Sequence, residues 1–339
     1  MLHRIILILL LNVTLSWSQI TKVASVGFTV KDLDREVKFF EEILHFKKIG
    51  GFSLNREVSG ELFGVSVQET KFALLQLGGE TLQLMQFEGI AGREIPWDSK
   101  SNDLWFQHIA IVVSDMDQAY DLIREQDLQF VSSSPQTLPN YLPEAAGIRA
   151  FYFQDPEGHI LELIQFPAGK GDPKWSGKNG PLFMGIDHSA IGVDKTTHSL
   201  PFYTEALGLK VAGRSENYGN EQEHLNQVFG AHLIITGLRA ESGIGVEFLD
   251  YLSPPGGSAY PKDSNPADLW HWNYFMETED LDGIYRRLIE ENSIVISNGI
   301  VPLDLAETGQ SARAILARDP DGHALLIYQN INQNQKTKS

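Results

Sequence analysis

Histidine and carboxylate side chains are the groups of this sequence that could do metal chemistry. The 339 residues include 10 histidines, 44 aspartates and glutamates, and no cysteine. The lack of cysteine excludes disulfides, thiolate nucleophiles, cysteine-bound zinc and iron–sulfur clusters. Any metal site in this chain must therefore be built from nitrogen and oxygen ligands.

Three arginines are candidates for binding an anionic substrate, because a guanidinium can bind a carboxylate through two parallel hydrogen bonds. They are Arg149, Arg313 and Arg318, and a salt bridge to a nearby Asp or Glu is the alternative for each. His159 and His323 lie in turns and are expected to be solvated. We find no phosphate-binding loop and no Ser-His-Asp signature.

The charge balance limits the class of partner. The formal net charge is −17 and the isoelectric point is near 5.0. Nucleic acids and anionic membrane surfaces are bound mainly through basic faces, so neither is an expected partner. A small molecule is the expected ligand, and the oligomeric state stays open, with a homo-oligomer among the alternatives.

The first residues resemble a secretory signal peptide. His3 and Arg4 precede an apolar run over residues 5–11, and Ser16-Trp17-Ser18 supplies small residues before Gln19. This layout predicts a cleaved signal over residues 1–18 and a secreted or periplasmic protein without a stable membrane anchor. A buried first strand or an uncleaved anchor is the alternative.

One pattern occurs four times along the chain, and it supplies the elements that must position the histidines and carboxylates. In each copy a strand is followed by an amphipathic helix that a polar residue opens, and then by short β-rich runs broken by Gly. The four first strands are predicted at residues 23–30, 106–113, 186–193 and 270–276. The turns Asp155-Pro156-Glu157-Gly158-His159 and Asp319-Pro320-Asp321-Gly322-His323 predict hairpins in the second and fourth copies.

The repeat predicts two domains of two copies each. Residues 168–181 are rich in Gly, Lys and Pro, lack an apolar period and are interpreted as the linker. The domains are then 21–167 and 182–330, and residues 331–339 form a polar tail.

The repeats resemble modules of the vicinal oxygen chelate superfamily, which includes glyoxalase I, extradiol dioxygenases and bleomycin-resistance proteins. The openings Ile186-Asp187-His188-Ser189-Ala190 and Gln107-His108-Ile109-Ala110 carry the resemblance, as does the closing Asp155-to-Leu163 segment. The resemblance implies an α+β fold of two domains. Each domain would have two βαβββ modules that form a curved, cup-like mixed sheet with the helices outside.

The resemblance also implies where metal ligands would lie, namely on the first and last strands of each module. Aligned on that basis, the first-strand positions are Ser25, His108, His188 and His271, and the last-strand positions are Gln83, Glu162, Glu247 and Leu326. His188, Glu247 and His271 are the expected ligands in the second domain. A weaker set in the first domain is Gln83, His108 and Glu162, and a degenerate site that only supports the fold is the alternative there.

Two imidazoles and one carboxylate suit a divalent metal ion, and Fe(II), Zn, Mn, Ni and Co remain open. The resemblance therefore implies a metal-dependent enzyme, dioxygenase-like or glyoxalase/lyase-like, that chelates a small oxygen-rich molecule. A non-enzymatic binding protein of the bleomycin-resistance type is the alternative. Two departures matter: Leu326 replaces the final glutamate of extradiol enzymes, and the second-domain set is one ligand short of glyoxalase I.

Overall fold

The computed structural model describes residues 19–176, 180–305 and 310–331. Four consecutive modules, numbered 1 to 4 in chain order, account for its regular elements. Module 1 contains β1 (Ile20–Thr29), α1 (Leu33–Glu42), β2 (Lys47–Asn55), α2 (Arg56–Phe63), β3 (Glu69–Leu77) and β4 (Glu80–Glu88). Module 2 contains β5 (Gln107–Val113), α3 (Met116–Arg124), β6 (Gln136–Thr137), β7 (Arg149–Gln154) and β8 (Ile160–Gln165).

The second half of the chain repeats this plan after a short 3-10 turn at Pro173–Trp175. Module 3 contains β9 (Phe183–Val193), α4 (Thr196–Pro201) with a π-helical extension (Phe202–Ala206), β10 (Lys210–Tyr218), α5 (Asn220–Asn226), β11 (His232–Arg239), β12 (Ser242–Gly243) and β13 (Gly245–Ser253). Module 4 contains β14 (Trp272–Thr278), α6 (Leu281–Glu290), β15 (Ile294–Val295), β16 (Val301–Leu305), β17 (Gln310–Arg318) and β18 (Ala324–Asn330).

The main helices of modules 1, 2 and 4 begin where the sequence predicts a cap, whereas Thr196 and Thr197 do not cap the helix of module 3. The side chains of Asp32, Asp115 and Asp280 each accept a hydrogen bond from the backbone N–H three residues later. Such a cap satisfies one of the N–H groups that the first turn leaves free. Helix α4 has no such side-chain cap, and the N–H of Thr196 donates instead to Asp250, which lies outside the helix.

The fold is the predicted α+β arrangement of four modules, but each sheet joins modules from opposite halves of the chain. The first sheet runs β2-β3-β4-β1-β14-β18-β17-β15, and the second runs β10-β11-β13-β9-β5-β8-β7-β6. Modules 1 and 4 therefore share one curved sheet, and modules 2 and 3 share the other. We call the two concave faces cup 1/4 and cup 2/3.

The join in each cup is an antiparallel pair of first strands. β1 pairs with β14 in cup 1/4, and β5 pairs with β9 in cup 2/3. The faces of the two sheets that point away from the cups pack with the helices into one apolar core. Tyr274 crosses this core, and its hydroxyl donates to the carbonyl of Ser189 at 2.7 Å. The two sheets and their helices are thus one packed unit.

The Asp-Pro-x-Gly-His turns are buried, so the prediction that their histidines are solvated is wrong. His159 contacts Asp155 through Nδ1 at 2.7 Å, and its Nε2 lies 2.9 Å from the carbonyls of Thr29 and Leu269. His323 is equally buried against Asp319. Burial is tolerated because each Asp bonds the Nδ1 of its histidine within the turn, which lets each turn dock on the neighbouring modules.

None of the helices within the described ranges combines the length and the apolar character that crossing a bilayer requires.

Candidate metal centre

Four ligand-type side chains meet on the concave face of cup 2/3. His108 lies on β5, Glu162 on β8, His188 on β9 and Glu247 on β13. The register makes the arrangement symmetrical about the β5–β9 pair. Ala110 lies opposite both Glu162 and His188, and Ala190 lies opposite both Glu247 and His108. Because side chains alternate between faces, these registers send all four into the same cup.

The four groups are close enough to share one ion. The Nε2 atom of His108 is 3.1 Å from Oε2 of Glu162, and Nε2 of His188 is 3.6 Å from the same oxygen. Nε2 of His188 is also 3.4 Å from Oε1 of Glu247. Ligand atoms of His108, Glu162 and His188 all lie within 4.8 Å of one another, and Glu247 joins this group through His188.

Three imidazole nitrogens of the site are buried without a hydrogen-bond partner within the described ranges. Both ring nitrogens of His108 and Nε2 of His188 lack a partner among the described residues. A buried polar atom without a partner costs about 1–3 kcal/mol, so such atoms are expected where something else binds them. Two imidazoles and two carboxylates are a donor set that fits a divalent Zn, Mn, Fe, Ni or Co ion. The residues present therefore fit the metal that the fold implies.

A second layer of side chains orients His188. Its Nδ1 lies 3.0 Å from Oδ2 of Asp187, which also accepts from Arg239 at 3.0 Å. The indole of Trp175 donates to the other oxygen of Asp187 at 2.8 Å. Such a carboxylate partner fixes the ring and leaves Nε2 as the free ligand atom. The linker residue Trp175 thus helps to position the site.

The electrostatics of the site reflect its excess of carboxylates. Burial alone would lower the pKa of His188, but Glu247, Asp187 and Glu162 outweigh it and raise that pKa to about 9. Burial raises the pKa of Glu247, and Glu162 adds to the rise while His188 opposes it. A bound cation would replace the proton that this negative environment favours.

The predicted ligand sets are each divided between the two cups. His188 and Glu247 do lie together, but their predicted partner His271 belongs to the sheet of cup 1/4. Of the weaker set, His108 and Glu162 lie in cup 2/3. Gln83 lies in cup 1/4, where its amide donates to Ser25 at 2.7 Å. The grouping fails because the alignment paired modules within each half, whereas the sheets pair them across the halves.

The register also shows that Asn273, and not His271, occupies the first-strand position of module 4. Each last-strand residue pairs with the residue two places after the first-strand position of its module. In module 2, for example, Glu162 pairs with Ala110, which comes two places after His108. Leu326 lies opposite Phe275, which makes Asn273 the equivalent of His108. One signal was available: Asp103-Leu104-Trp105 and Asp268-Leu269-Trp270 align the two strands in the same way.

Cup 1/4 is consequently without a ligand set. Its four positions hold Ser25, Gln83, Asn273 and Leu326, and apolar side chains fill the face around them. His271 is fully buried, and burial, with Arg318 nearby, lowers its pKa to about 3. Across the described ranges, His108, Glu162 and His188 form the one group of three such side chains that is compact enough to hold a metal.

A cavity of about 140 Å³ lies in front of the four groups. Glu162, His188 and Glu247 line one side of it. The segment after β6 covers it through Leu138 and Ala145. Glu247 is the most exposed of the four, with 23% of its side chain accessible, compared with 8% or less for the others. A small molecule in this cavity would meet the carboxylate of Glu247 directly.

Comparison with known proteins identifies the family to which this fold belongs. The model of the glyoxalase/bleomycin resistance protein/dioxygenase superfamily matches residues 22–163 and 185–327. A 2-epi-5-epi-valiolone epimerase from an Actinomyces species is 33% identical over 151 residues, which are 42% of this chain and 79% of the relative. The metallothiol transferase FosB of Staphylococcus epidermidis is 26% identical over 147 residues, covering 43% of this chain and 82% of that protein.

Among solved structures, glyoxalase I from Zea mays superposes with a TM-score of 0.58 at 17% identity and covers 92% of each chain. That similarity extends over both halves and shows a common fold. With two matches to the family model that together span most of the chain, this protein belongs to the glyoxalase/bleomycin resistance protein/dioxygenase superfamily.

Proposed function

We propose that this chain is a metal-dependent enzyme with one catalytic centre, formed by His108, Glu162, His188 and Glu247 in cup 2/3. The observation that carries the proposal is the set of buried imidazole nitrogens that face two carboxylates without any hydrogen-bond partner. The centre would act on a small molecule that carries neighbouring oxygen atoms. When bound there, a divalent cation supplies Lewis acidity, which stabilises negative charge on a substrate oxygen.

The donor set favours proton transfer over oxygen chemistry. Non-heme iron oxygenases use two histidines and a single carboxylate, with open positions for O₂ and substrate. Here a second carboxylate is present, and Glu247 is the group best placed to accept a proton from a carbon next to a carbonyl. It is the most exposed of the four groups, with 23% of its side chain accessible, so a carbon-bound proton of a small molecule in the cavity can reach it. We therefore favour an epimerase, isomerase or lyase reaction.

The relatives support this reaction class. The relative with 33% identity is named as an epimerase of 2-epi-5-epi-valiolone, and epimerisation beside a carbonyl is a proton transfer. The FosB relative is named as a metallothiol transferase, which is a metal-dependent reaction of another type. Both matches support a metal-dependent enzyme, and the first supports the proton-transfer assignment.

The test combines metal content with isotope exchange. We expect protein purified without chelator, or reloaded with Zn, Mn, Fe(II), Ni or Co, to bind about one ion per chain. In D₂O the loaded protein should exchange a carbon-bound proton of 2-epi-5-epi-valiolone or a related hydroxyketone, as followed by NMR, and chelator should abolish the exchange. Full activity without metal, or no metal binding at all, would favour the non-enzymatic binding protein instead.

We further propose that the protein is exported. The support is the apolar run over residues 5–11 followed by Ser16-Trp17-Ser18, which lies outside the described residues. N-terminal sequencing of the protein from its own host should find Gln19 first. A retained Met1 in a cytosolic fraction would contradict export.

A further inference from the structure

A chain of buried amide side chains lines the cavity beside the metal centre. Asn217 on β10 donates to Gln222 at 3.0 Å, Gln222 donates to Asn226, and Asn226 donates to the hydroxyl of Tyr251. Each of these four residues is at most 3% exposed. We call this set the amide relay. Its three amides all line the cavity, together with Glu247 and His188.

The relay ends in an unused acceptor. Each amide N–H₂ donates to the next member, so the direction of the relay leaves Oδ1 of Asn217 as the free end. Of the relay's side-chain atoms, Oδ1 of Asn217 is the one that is buried without a partner among the described residues. A buried carbonyl oxygen at a cavity wall is expected to accept from a ligand, because leaving it unsatisfied is unfavourable. The ligand must therefore present a donor there, such as a hydroxyl group.

The same strands carry the metal centre and the relay. Glu247 and Tyr251 share one face of β13. Asn217 on β10 pairs with Leu233 on β11, which in turn pairs with Tyr251. Four residues along a strand span about 13 Å between backbone positions, and the side chains of Glu247 and Asn217 both line the cavity. One small molecule can thus contact the centre with one end and the relay with the other.

The titratable side chains of the cavity wall are four carboxylates, one histidine and one tyrosine, namely Glu144, Glu162, Asp187, Glu247, His188 and Tyr152. Neither Lys nor Arg is among its lining residues in the described part of the chain. Arg149 and Arg313 instead pair with Asp117 and Asp282 at the surface, at 2.6 and 2.7 Å. Arg239 lies behind the site on Asp187. A phosphate or carboxylate bound in the cavity would therefore lack the cationic side chains that such groups need.

From the amide relay and the absence of Lys and Arg from the cavity wall in the described part of the chain, we propose that the substrate is a neutral polyhydroxylated molecule, one hydroxyl of which donates to Oδ1 of Asn217. The proposal rests on the proposed function, since it takes the substrate to bind at the metal centre. A cationic amine would also donate to this oxygen, but it would have to lie beside a divalent ion. Neutral hydroxyls suit both the cation and the amides.

The test compares three probes of one shape. They are scyllo-inosose, which is a neutral cyclic polyhydroxyketone, myo-inositol 1-phosphate as the anionic probe, and scyllo-inosamine as the cationic probe. Affinities are measured by titration calorimetry on the zinc-loaded full chain. We expect scyllo-inosose to bind at least about tenfold more tightly than either charged probe, a ratio that corresponds to about one hydrogen bond.

Variants of the relay decide whether Asn217 is responsible. Asn217→Ala should weaken scyllo-inosose about tenfold and leave zinc affinity unchanged, whereas Asn220→Ala, an exposed neighbour on α5, should change neither. Tyr251→Phe keeps the shape of the core and removes the acceptor for Asn226. It should weaken scyllo-inosose as well, and it serves as the second test if Asn217→Ala fails to fold.

Several results would overturn the proposal. They are tighter binding of the phosphate or the amine, no binding of any probe, and wild-type affinity for scyllo-inosose in both relay variants. Failure of the proposed function would look different: zinc would not bind, while an Asn217-dependent affinity for scyllo-inosose in the metal-free protein would still support the polyol site.

Discussion

The two cups have the same strand plan and the same register, yet only one of them carries a ligand set. In cup 2/3 the four equivalent positions hold two histidines and two glutamates around a cavity. In cup 1/4 they hold Ser25, Gln83, Asn273 and Leu326, within a continuous apolar cluster. The fold is therefore maintained without ligand-type side chains at these positions, and the proposed chemistry depends on four side chains placed on it. The comparison suggests variants that exchange features between the cups.

The largest effect is expected from a matched pair of histidine variants. His188→Gln should lower metal affinity by more than about a hundredfold and abolish activity, because loss of a direct ligand exceeds the cost of losing an outer-shell partner. His271→Gln should leave metal content unchanged, since His271 lies in the sheet of cup 1/4. Metal analysis by mass spectrometry and zinc titration measure both.

The pair also tests the register argument. If His271→Gln removed the metal as His188→Gln does, the assignment of the centre to cup 2/3 would be wrong. If neither variant lost metal, the ion would bind elsewhere in the chain.

The next effect concerns an exchange at the last-strand position. Leu326→Glu should destabilise the protein by about 3–5 kcal/mol, because it buries an unpaired charge in an apolar cluster. The reciprocal Glu162→Leu should leave the metal-free protein at least as stable, since it removes a buried carboxylate from a negative site. Urea unfolding with chelator present gives both free energies. Equal destabilisation by the two would mean that the cups do not differ in polarity as described.

A smaller effect distinguishes the first helices of modules 1 and 3. Each has a buried residue four places after its N-cap, which is Glu36 in α1 and Ser199 in α4. Ser199 donates to Asp321, whereas Glu36 faces Asp155 and Glu157. Burial and these two carboxylates raise the pKa of Glu36 from 4.5 to about 10.

The sign of the pH dependence follows from that shift. Glu36 stays protonated in the folded chain but ionises in the unfolded chain above pH 4.5, so it progressively lowers stability as the pH rises towards 10. Glu36→Gln should therefore add about 2 kcal/mol at pH 8 and nothing at pH 4. Thermal unfolding across this range measures it. A pH-independent gain would show that Glu36 is not held neutral.

The smallest effect is expected at the paired surface arginines. Arg149 on β7 binds Asp117 of α3, and Arg313 on β17 binds Asp282 of α6 in the same way. Arg149→Ala and Arg313→Ala should each cost about 1 kcal/mol or less, because exposed ion pairs contribute little. Neither should change activity by more than about twofold, since neither arginine lines the cavity. A large loss of activity with Arg149→Ala would indicate an anionic substrate.

Local pattern was sufficient to predict the modules. Strand alternation and the caps at Asp32, Asp115 and Asp280 depend on neighbouring residues, and the structure confirms them. Which modules share a sheet depends on how strands that are distant in the sequence pair, as Val26 of β1 does with Tyr274 of β14. Periodicity carries no information about that pairing, because all four first strands are similarly apolar.

The candidate site was partly predictable for the same reason. His108, Glu162, His188 and Glu247 were all identified as ligand-type positions, since each is fixed within its own module. Their grouping was not, because it follows from the sheet order. The alignment of first strands places His271 at the module 4 position, although the shared Asp-Leu-Trp segments and the register place Asn273 there.

The crossing of modules between the two sheets has a consequence for the history of the chain. A half-length ancestor with one module pair could complete a cup only against a second copy, and a twofold dimer of that kind would hold two identical centres. In such a dimer every substitution appears in both centres at once, so neither can be lost alone. Fusion of the two copies into one gene removes that constraint. In a single chain the two cups can differ, as the positions Ser25, Gln83, Asn273 and Leu326 differ from His108, Glu162, His188 and Glu247.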